Sequence, residues 1–270
     1  MNDAGPHFLY LGSLLFAAIV MAILVLHATR YRGLLAWSFG WMAGVAGWVA
    51  LSEIVSALSP TEGMAILWLR FRFSGVILGP VLGLALALVY SGRGGWLTRS
   101  RLAILLLIPA ITLLTIWIPG LRGCTLELFV RREGGLWMIY SPTPETGAWF
   151  KVHLVYSLAV CMAGLGLVTG IAAATFSRHS YQALALVLGA LCPMLGAIIF
   201  VVWPDLPVNP TSQGIALGGI AWAFAIFRYR LMDVVPVARD SLFERGLDDG
   251  DRHLVAGAVH QPVVCAVSGC

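Results

Sequence analysis

The segment FLYLGSLLFAAIVMAILVLHAT, Phe8 to Thr29, decides the fold class of this protein. It contains no Asp, Glu, Lys or Arg. A helix of about 20 mainly apolar residues is long enough to cross the hydrocarbon core of a bilayer. A signal peptide has a basic region in front of a shorter apolar core, and this segment has neither feature. We therefore predict a retained transmembrane helix.

The rest of the chain has the same character. Of its 270 residues 59% are hydrophobic and 11% are charged, whereas soluble domains have about 25% charged residues. Lipid cannot satisfy backbone polar groups, so long apolar runs in a membrane must be helices. The sequence predicts an all-α, polytopic bundle of seven transmembrane helices, formed by the runs Phe8–Thr29, Leu34–Leu58, Leu69–Tyr90, Leu102–Pro119, Trp149–Phe176, Ala183–Trp203 and Ser212–Phe227.

The distribution of arginine predicts the orientation. The loops after the first, third and fifth runs carry arginine and no acid, and the seventh run ends at two further arginines; these residues are Arg30, Arg32, Arg93, Arg99, Arg101, Arg178, Arg228 and Arg230. Cytoplasmic loops of membrane proteins carry an excess of Lys and Arg. We expect the N-terminus outside the cell and the C-terminus in the cytoplasm.

Few charges lie within the apolar runs. Glu53 lies about one turn from the outer end of the second helix, and Arg70 and Arg72 open the third helix across a short loop. A charge at the bilayer centre costs at least about 2.5 kcal/mol, so pairing is favoured. We predict that Glu53 pairs with Arg70 or Arg72. Such a pair is either a structural link between two helices or the polar end of a ligand pocket that opens outward.

Other side chains extend this candidate pocket. His153 begins the fifth helix on the same side, and Tyr156 follows one turn later as a further hydroxyl or as an ordinary buried tyrosine. Trp48 and Trp222 lie deep in their helices, where they suit a small hydrophobic or amphipathic ligand, although core packing explains them equally well. The candidate ligand-binding residues are Glu53, Arg70, Arg72, Trp48, His153, Tyr156 and Trp222.

Two patterns concern the packing of the helices. Pro80, Pro109 and Pro193 interrupt the third, fourth and sixth helices, either as simple kinks or as a hinge or the wall of a pocket. The pairs Gly40–Gly44 and Gly166–Gly170 have the spacing that lets helix backbones approach closely.

The sequence lacks the motifs of several functional classes. No histidines have a metal-binding spacing, no phosphate-binding GxxxxGK[ST] loop is present, and the cysteines form no CxxC pair. The single lysine, Lys151, is not in the last helix, where a retinal protein needs one. We expect no catalytic activity, cofactor, metal site or nucleic-acid binding. Among membrane proteins, a small transporter or channel-like protein remains an open alternative.

The segment RYRLMDVVPVARDSLFERGLDDG, which follows the last run, resembles a known connection. It is similar to the segment that joins the N-terminal seven-transmembrane region of bacterial sensor histidine kinases to a cytoplasmic PAS domain. The matching residues are Arg228, Tyr229, Asp233, Pro236, Ala238, Arg239, Asp249 and Gly250. The resemblance covers roughly residues 8–250, and it includes the positions of Glu53, Pro80, Ile108–Thr112 and Pro193.

The resemblance implies a membrane sensor that is the input module of a bacterial two-component signal-transduction protein in the inner membrane. Such regions control a cytoplasmic kinase or diguanylate cyclase and act as homodimers. We expect a sensor domain at residues 1–230, a juxtamembrane signalling helix at 231–250 and a short tail at 251–270. The tail is too short for a PAS domain, so we expect a truncation or a frame change. The residues expected to transmit the signal are Arg228, Arg230, Asp233, Pro236 and Arg239.

Overall fold

Seven long helices make up most of the described part of the computed structural model, which comprises residues 4–118, 120–121, 129–133, 135–140, 147–174, 179–203 and 210–229. They are α1 Ala4–Ala28, α2 Leu34–Ala57, α3 Glu62–Tyr90, α4 Arg99–Trp117, α5 Ala148–Ala174, α6 His179–Val202 and α7 Pro210–Tyr229. Helices α1 to α6 each have the length and composition of a membrane span. The seventh is a 20-residue helix whose polar ends lower its hydropathy. The chain is therefore a multi-pass membrane protein.

The third helix begins earlier than the sequence predicted. Thr61 precedes α3, and its hydroxyl accepts a hydrogen bond from the Met64 backbone N–H at 3.4 Å. Glu62 follows in the first turn, where a negative charge is favourable at a helix N-terminus. The prediction that Arg70 and Arg72 open this helix was wrong. Both lie more than two turns inside it, so Arg72 reaches the interior of the bundle.

Six of the seven helices form a closed ring. Helix α1 packs on α2, α2 on α3, α3 on α5, α5 on α6, α6 on α7, and α7 packs back on α1. Helix α4 lies outside this ring and packs on α3 and α5. We call the end at which α1 begins the N-side and the end at which α7 finishes the C-side.

Glycines bring two pairs of helices together. A Cβ on Gly214 of α7 would overlap the carbonyl of Cys192 in α6, so these two backbones are in direct contact. Gly40 lies where its Cβ would be 3.5 Å from Ala28 of α1, which agrees with the predicted close approach. No described atom lies within 4 Å of a Cβ at Gly166 or Gly170, so this pair makes no close helix approach within the described part of the chain.

A β-hairpin lies between α4 and α5, which modifies the all-α prediction. Its strands, β1 Phe129–Glu133 and β2 Leu136–Tyr140, are antiparallel and meet at Gly135, whose φ of 89° favours glycine. Met138 packs against Tyr10 and Leu14 of α1. The Trp137 indole N–H donates to the carbonyl of Ser59 at 2.9 Å. The hairpin therefore covers part of the N-side end of the bundle.

Candidate functional site

Four helices meet at one buried carboxylate near the N-side. Arg72 of α3 donates from Nε to Oε2 of Glu53 on α2 at 2.8 Å. The Tyr10 hydroxyl of α1 donates to Oε1, and the Ser212 hydroxyl of α7 donates to Oε2. The predicted pairing of Glu53 is confirmed with Arg72. We call Tyr10, Glu53, Arg72 and Ser212 the Glu53 cluster.

The Glu53 cluster is shielded from solvent. Glu53 is 1% exposed and Arg72 is 2% exposed. Burying a charged pair is tolerated only when additional hydrogen bonds satisfy the ions, and here three donors reach one carboxylate. Removing the side chain of any residue in the Glu53 cluster leaves its partners without a hydrogen bond. Because the cluster is buried, water cannot replace that bond. This geometry matches a structural link between helices better than a pocket that opens outward at Glu53.

The start of α7 explains how Ser212 reaches the cluster. Pro210 occupies the first helical position, where its missing N–H and fixed φ are favourable. Ser212 follows within the same turn and is fully buried. Helix α7 packs between α6 and α1, and Thr211 and Ser212 of its first turn are both buried. A residue of the last helix is thereby bonded directly to the carboxylate of the second.

A cavity of about 470 Å³ lies among the helices of the bundle. Helices α3, α5 and α6 supply most of its wall, and α1, α2, α4 and α7 complete it. Pro80 and Pro193 both line it, so two of the three helix prolines are wall residues of a cavity. The lining is mostly aliphatic. Arg72 connects the cavity to the Glu53 cluster, because its side chain belongs to both.

A second polar group borders the cavity between α4 and α5. The Thr112 hydroxyl donates to the carbonyl of Ile108 at 2.8 Å and accepts from the Trp149 indole N–H at 3.0 Å. His153 Nδ1 lies 3.2 Å from the same hydroxyl oxygen, and its Nε2 lies 3.2 Å from the Ser157 hydroxyl. Since the single Thr112 proton is used, Nδ1 carries the imidazole proton and Nε2 accepts from Ser157. Both nitrogens of His153 are therefore bonded.

Two buried polar atoms near the C-side have no such partner. Tyr90 closes α3 and is 3% exposed, and Trp222 of α7 is also 3% exposed. Neither the Tyr90 hydroxyl nor the Trp222 indole N–H has a hydrogen-bond partner among the described residues. Both side chains line the cavity. The Trp222 indole packs edge-on against Phe39 and lies against Gly189, where a Cβ would overlap it.

The predicted ligand-binding residues divide into two sets. Arg72, His153 and Trp222 line the same cavity, although they come from three helices far apart in the sequence. Glu53 lies behind Arg72. The cavity wall does not include Arg70, Trp48 or Tyr156 among its described residues.

Trp48 and Tyr156 bond elsewhere. The Trp48 indole N–H donates to the Phe71 carbonyl at 3.1 Å, and the side chain is 39% exposed. The Tyr156 hydroxyl donates to the Leu105 carbonyl, so it has the ordinary partner that the sequence left open. These two aromatic residues join neighbouring helices and do not line the cavity.

Sequence reasoning missed Tyr10, Ser212, Thr112 and Tyr90. Each is an uncharged polar residue in an apolar run, and such residues are common in any helix. One signal was available, because hydroxyl groups inside a membrane commonly form hydrogen bonds to neighbouring helices. Partner identity depends on the rotation of each helix, which hydropathy does not encode.

The predicted signal-transmitting residues lie at and beyond the end of α7. Arg228 belongs to the last turn of α7, at the C-side. Arg230, Asp233, Pro236 and Arg239 lie outside the described residues, so their roles remain predictions. Among the described residues, no three His, Cys, Asp or Glu side chains are grouped closely enough to hold a metal ion.

Comparison with known proteins supports one family. A family model described as the N-terminal 7TM region of histidine kinase matches residues 13–236, which is most of the chain. No curated protein matches the chain. The matched range begins in α1 and extends past the end of α7, so it includes the Glu53 cluster apart from Tyr10 and the whole cavity. The chain therefore belongs to the family of N-terminal seven-transmembrane regions of histidine kinases.

Proposed function

We propose that this chain is a membrane-embedded input module that perceives an extracellular or membrane-borne signal and passes it through α7 to a cytoplasmic output domain. One observation carries the proposal. Helix α7 contributes Ser212 to the Glu53 cluster and Trp222 to the cavity wall. Helix α7, which leads towards the expected output domain, is therefore hydrogen-bonded to the Glu53 cluster at its start. Further along, at Trp222, it borders the cavity.

The mechanism we propose is a shift between two packings of the bundle. A ligand changes such an equilibrium only if it binds one packing better than the other. An occupant of the cavity contacts Trp222 directly and contacts Glu53 through Arg72. Trp222 belongs to α7, and Glu53 is hydrogen-bonded to Ser212 of α7. The position of α7 therefore depends on whether the cavity is occupied.

The direction of signalling follows from the arginine distribution. We infer that the N-side faces outward and the C-side faces the cytoplasm of a bacterial inner membrane, because the C-side loops carry the arginine excess. Arg30, Arg93 and Arg101 are C-side residues of this kind. The segment from Arg228 through Arg239 then lies where a cytoplasmic kinase or cyclase domain would receive a movement of α7.

A sensor role also implies partner chains. Histidine kinases work as pairs of chains, and we expect a homodimer whose cytoplasmic helices are paired. We expect no catalytic activity from the chain itself, since its sequence has no HExxH or GxxxxGK[ST] motif. The output chemistry would belong to the attached domain.

A chimaera tests the proposal. Residues 1–250 are fused to the kinase domain of a reporter two-component system, and phosphorylation of its response regulator is measured in membranes. Gly189→Ala places a methyl group where the Trp222 indole lies, which forces Trp222 to move. Gly166→Ala is the matched control, since its Cβ meets no described atom. We expect a changed output for Gly189→Ala alone. Equal output from both variants and the parent, at equal expression, would contradict a sensor role.

A transporter is the competing function, because the cavity extends along much of the membrane span. Liposomes that contain the purified protein would then take up a solute down its concentration gradient. The kinase output of the chimaera would stay constant. We expect the opposite result in both measurements.

A further inference from the structure

The wall of the cavity has the chemistry of an apolar binding space. Arg72 is the only Asp, Glu, Lys or Arg among the described lining residues, and Glu53 balances its charge at 2.8 Å. His153 is bonded at both nitrogens. The Tyr90 hydroxyl and the Trp222 indole N–H have almost no accessible surface, so neither adds a polar group to the open space. A charged or strongly polar molecule would lose its hydration here and gain no partner, which is costly.

The size of the cavity is that of a binding space for a small molecule. Protein interiors contain few voids larger than a water molecule. A dry apolar cavity of about 150 Å³ can already hold benzene, and ligand pockets begin at about 300 Å³. The volume here is about 470 Å³. An apolar group of several carbon atoms therefore fits among the helices without any change in their packing.

Both ends of the cavity are covered by protein. At the N-side, Val130 of β1 packs against the buried pair Leu69 and Phe200, and Phe200 is a wall residue of the cavity. Towards the C-side, the wall residues Leu186 and Trp222 are buried in the main core of the bundle. The hairpin and the core thus lie between the cavity and the water on either side of the membrane.

The exposed part of the wall belongs to two helices. The described lining residues of α1, α2, α3, α4 and α7 are buried or half-buried. Helices α5 and α6 pack on each other and supply all the lining residues that are exposed, namely Leu154, Leu158, Ala190, Ile198 and Val202. An exposed side chain within a membrane span faces lipid, because lipid is the surrounding solvent. This pattern indicates an opening towards lipid between α5 and α6.

From the wall, the covered ends and the exposed side, we propose that the cavity takes up an uncharged aliphatic group from the surrounding bilayer, which enters between α5 and α6 and lies against α3 and α7. The group is the tail of a membrane lipid or a free apolar molecule dissolved in the bilayer. This inference rests on the proposed sensor function only in treating the occupant as a signal, and it then selects a membrane-borne signal over an extracellular one.

Photolabelling of the whole chain in nanodiscs tests the proposal, with hexadecane that carries one aliphatic diazirine as the probe. Ile77 of α3 and Ile215 of α7 are buried but line the cavity, so a molecule inside the cavity reaches them. Leu24 is equally buried and does not line the cavity, whereas Val155 is 68% exposed and reports contact with bulk lipid. We expect label at both isoleucines and at Val155. Label at Val155 alone, or equal label at Leu24, would overturn the proposal.

Two further comparisons test the source and the charge of the occupant. A phosphatidylcholine with the same diazirine in one tail labels Ile77 if lipid tails enter, and label from the hexadecane probe alone assigns a free apolar molecule. Label from neither probe would overturn the proposal. Methylcyclohexane should suppress the label at a concentration at least about tenfold lower than cyclohexanecarboxylate, which has a similar carbon skeleton and a charge. Equal suppression would contradict an uncharged occupant.

Variants test the route of entry. Ala190→Trp and Ile198→Trp each place a large side chain in the exposed wall, and Ala163→Trp is the control at an exposed position outside it. Labelling of Ile77 should become at least about threefold slower in the first two variants and stay unchanged in the third. Val130→Ala thins the hairpin cover and should also leave the rate unchanged. Faster labelling in Val130→Ala, with no effect of either wall variant, would place the entry at the N-side and overturn the proposed route.

Failure of this inference and failure of the sensor function give different results. Label at Ile77 and Ile215, with equal output from the Gly189→Ala and Gly166→Ala chimaeras, would support uptake from the bilayer and contradict sensing. A changed output from the Gly189→Ala chimaera, with no label at either isoleucine, would support sensing and overturn uptake.

Discussion

Ser212 on α7 donates a hydrogen bond to the same carboxylate oxygen of Glu53 that accepts from Arg72. The two residues are 159 positions apart in the sequence. Through this oxygen the last helix of the ring is bonded to the second and, by Arg72, to the third. Because the atoms involved are buried, water cannot take the place of any missing partner. The relationship leads to direct predictions about stability.

Glu53→Gln should destabilise the protein strongly. The substitution leaves the Arg72 guanidinium buried without a counter-charge, and breaking a buried pair in this way costs about 3–5 kcal/mol. Thermal unfolding in detergent measures the loss. The double variant Glu53→Gln/Arg72→Met should recover much of it, since both charges are then removed. Glu62→Gln, at the exposed start of α3, is the control. A double variant less stable than either single variant would contradict this account.

Ser212→Ala should destabilise the protein moderately. A hydrogen bond to a charged group contributes about 1.5–3 kcal/mol, and Glu53 keeps its bonds to Tyr10 and Arg72. Ser38→Ala is a matched control, because Ser38 bonds at 3.0 Å to Leu35 within its own helix and joins no other. The free energies of unfolding of the two variants should differ by more than about 1 kcal/mol, which is on the order of the energy of one hydrogen bond between helices. Similar unfolding temperatures would show that Ser212 contributes little to the ring.

Gly214→Ala should disrupt the contact between α6 and α7. Its Cβ would overlap the Cys192 carbonyl, and backbone atoms cannot move aside as a side chain can. Overpacking of this kind costs about 1–3 kcal/mol. Gly170→Ala has open space at the same atom and should stabilise its helix by up to about 1 kcal/mol. Opposite shifts in unfolding temperature are expected. A neutral Gly214→Ala variant would mean that the two helices separate easily.

Thr112→Val should weaken the packing of α4 on α5. Valine has nearly the shape of threonine, but it leaves the Trp149 indole N–H and His153 Nδ1 without their acceptor. Each buried donor left unsatisfied costs about 1–3 kcal/mol. Thr115→Val is the control, because the Thr115 hydroxyl bonds at 2.8 Å only to the nearby Thr112 carbonyl. The free energies of unfolding of both variants should be compared, and equal losses would contradict a network centred on Thr112.

The sequence predicted the candidate site in part. Glu53 and its arginine partner were identified because charges in an apolar run are rare and costly. Trp222 and His153 were identified as unusual for their depth or position, and both line the cavity. Trp48 was selected for the same reason, yet it is partly exposed and bonds to Phe71. Depth along a helix is readable from the sequence, whereas the direction in which a side chain points is not.

The fold, like the site, was determined partly by the sequence and partly by tertiary contacts. Apolar length alone determined that these segments are helices, because a chain surrounded by lipid must satisfy its backbone within each segment. Tertiary structure alone decided which helices are neighbours, that α4 lies outside the ring, and that a hairpin covers Tyr10. In a soluble helix one apolar stripe shows which face is buried, but here nearly every face is apolar. Close packing at glycines such as Gly214 and bonds to Glu53 therefore selected the arrangement, and both depend on contacts between segments far apart in the chain.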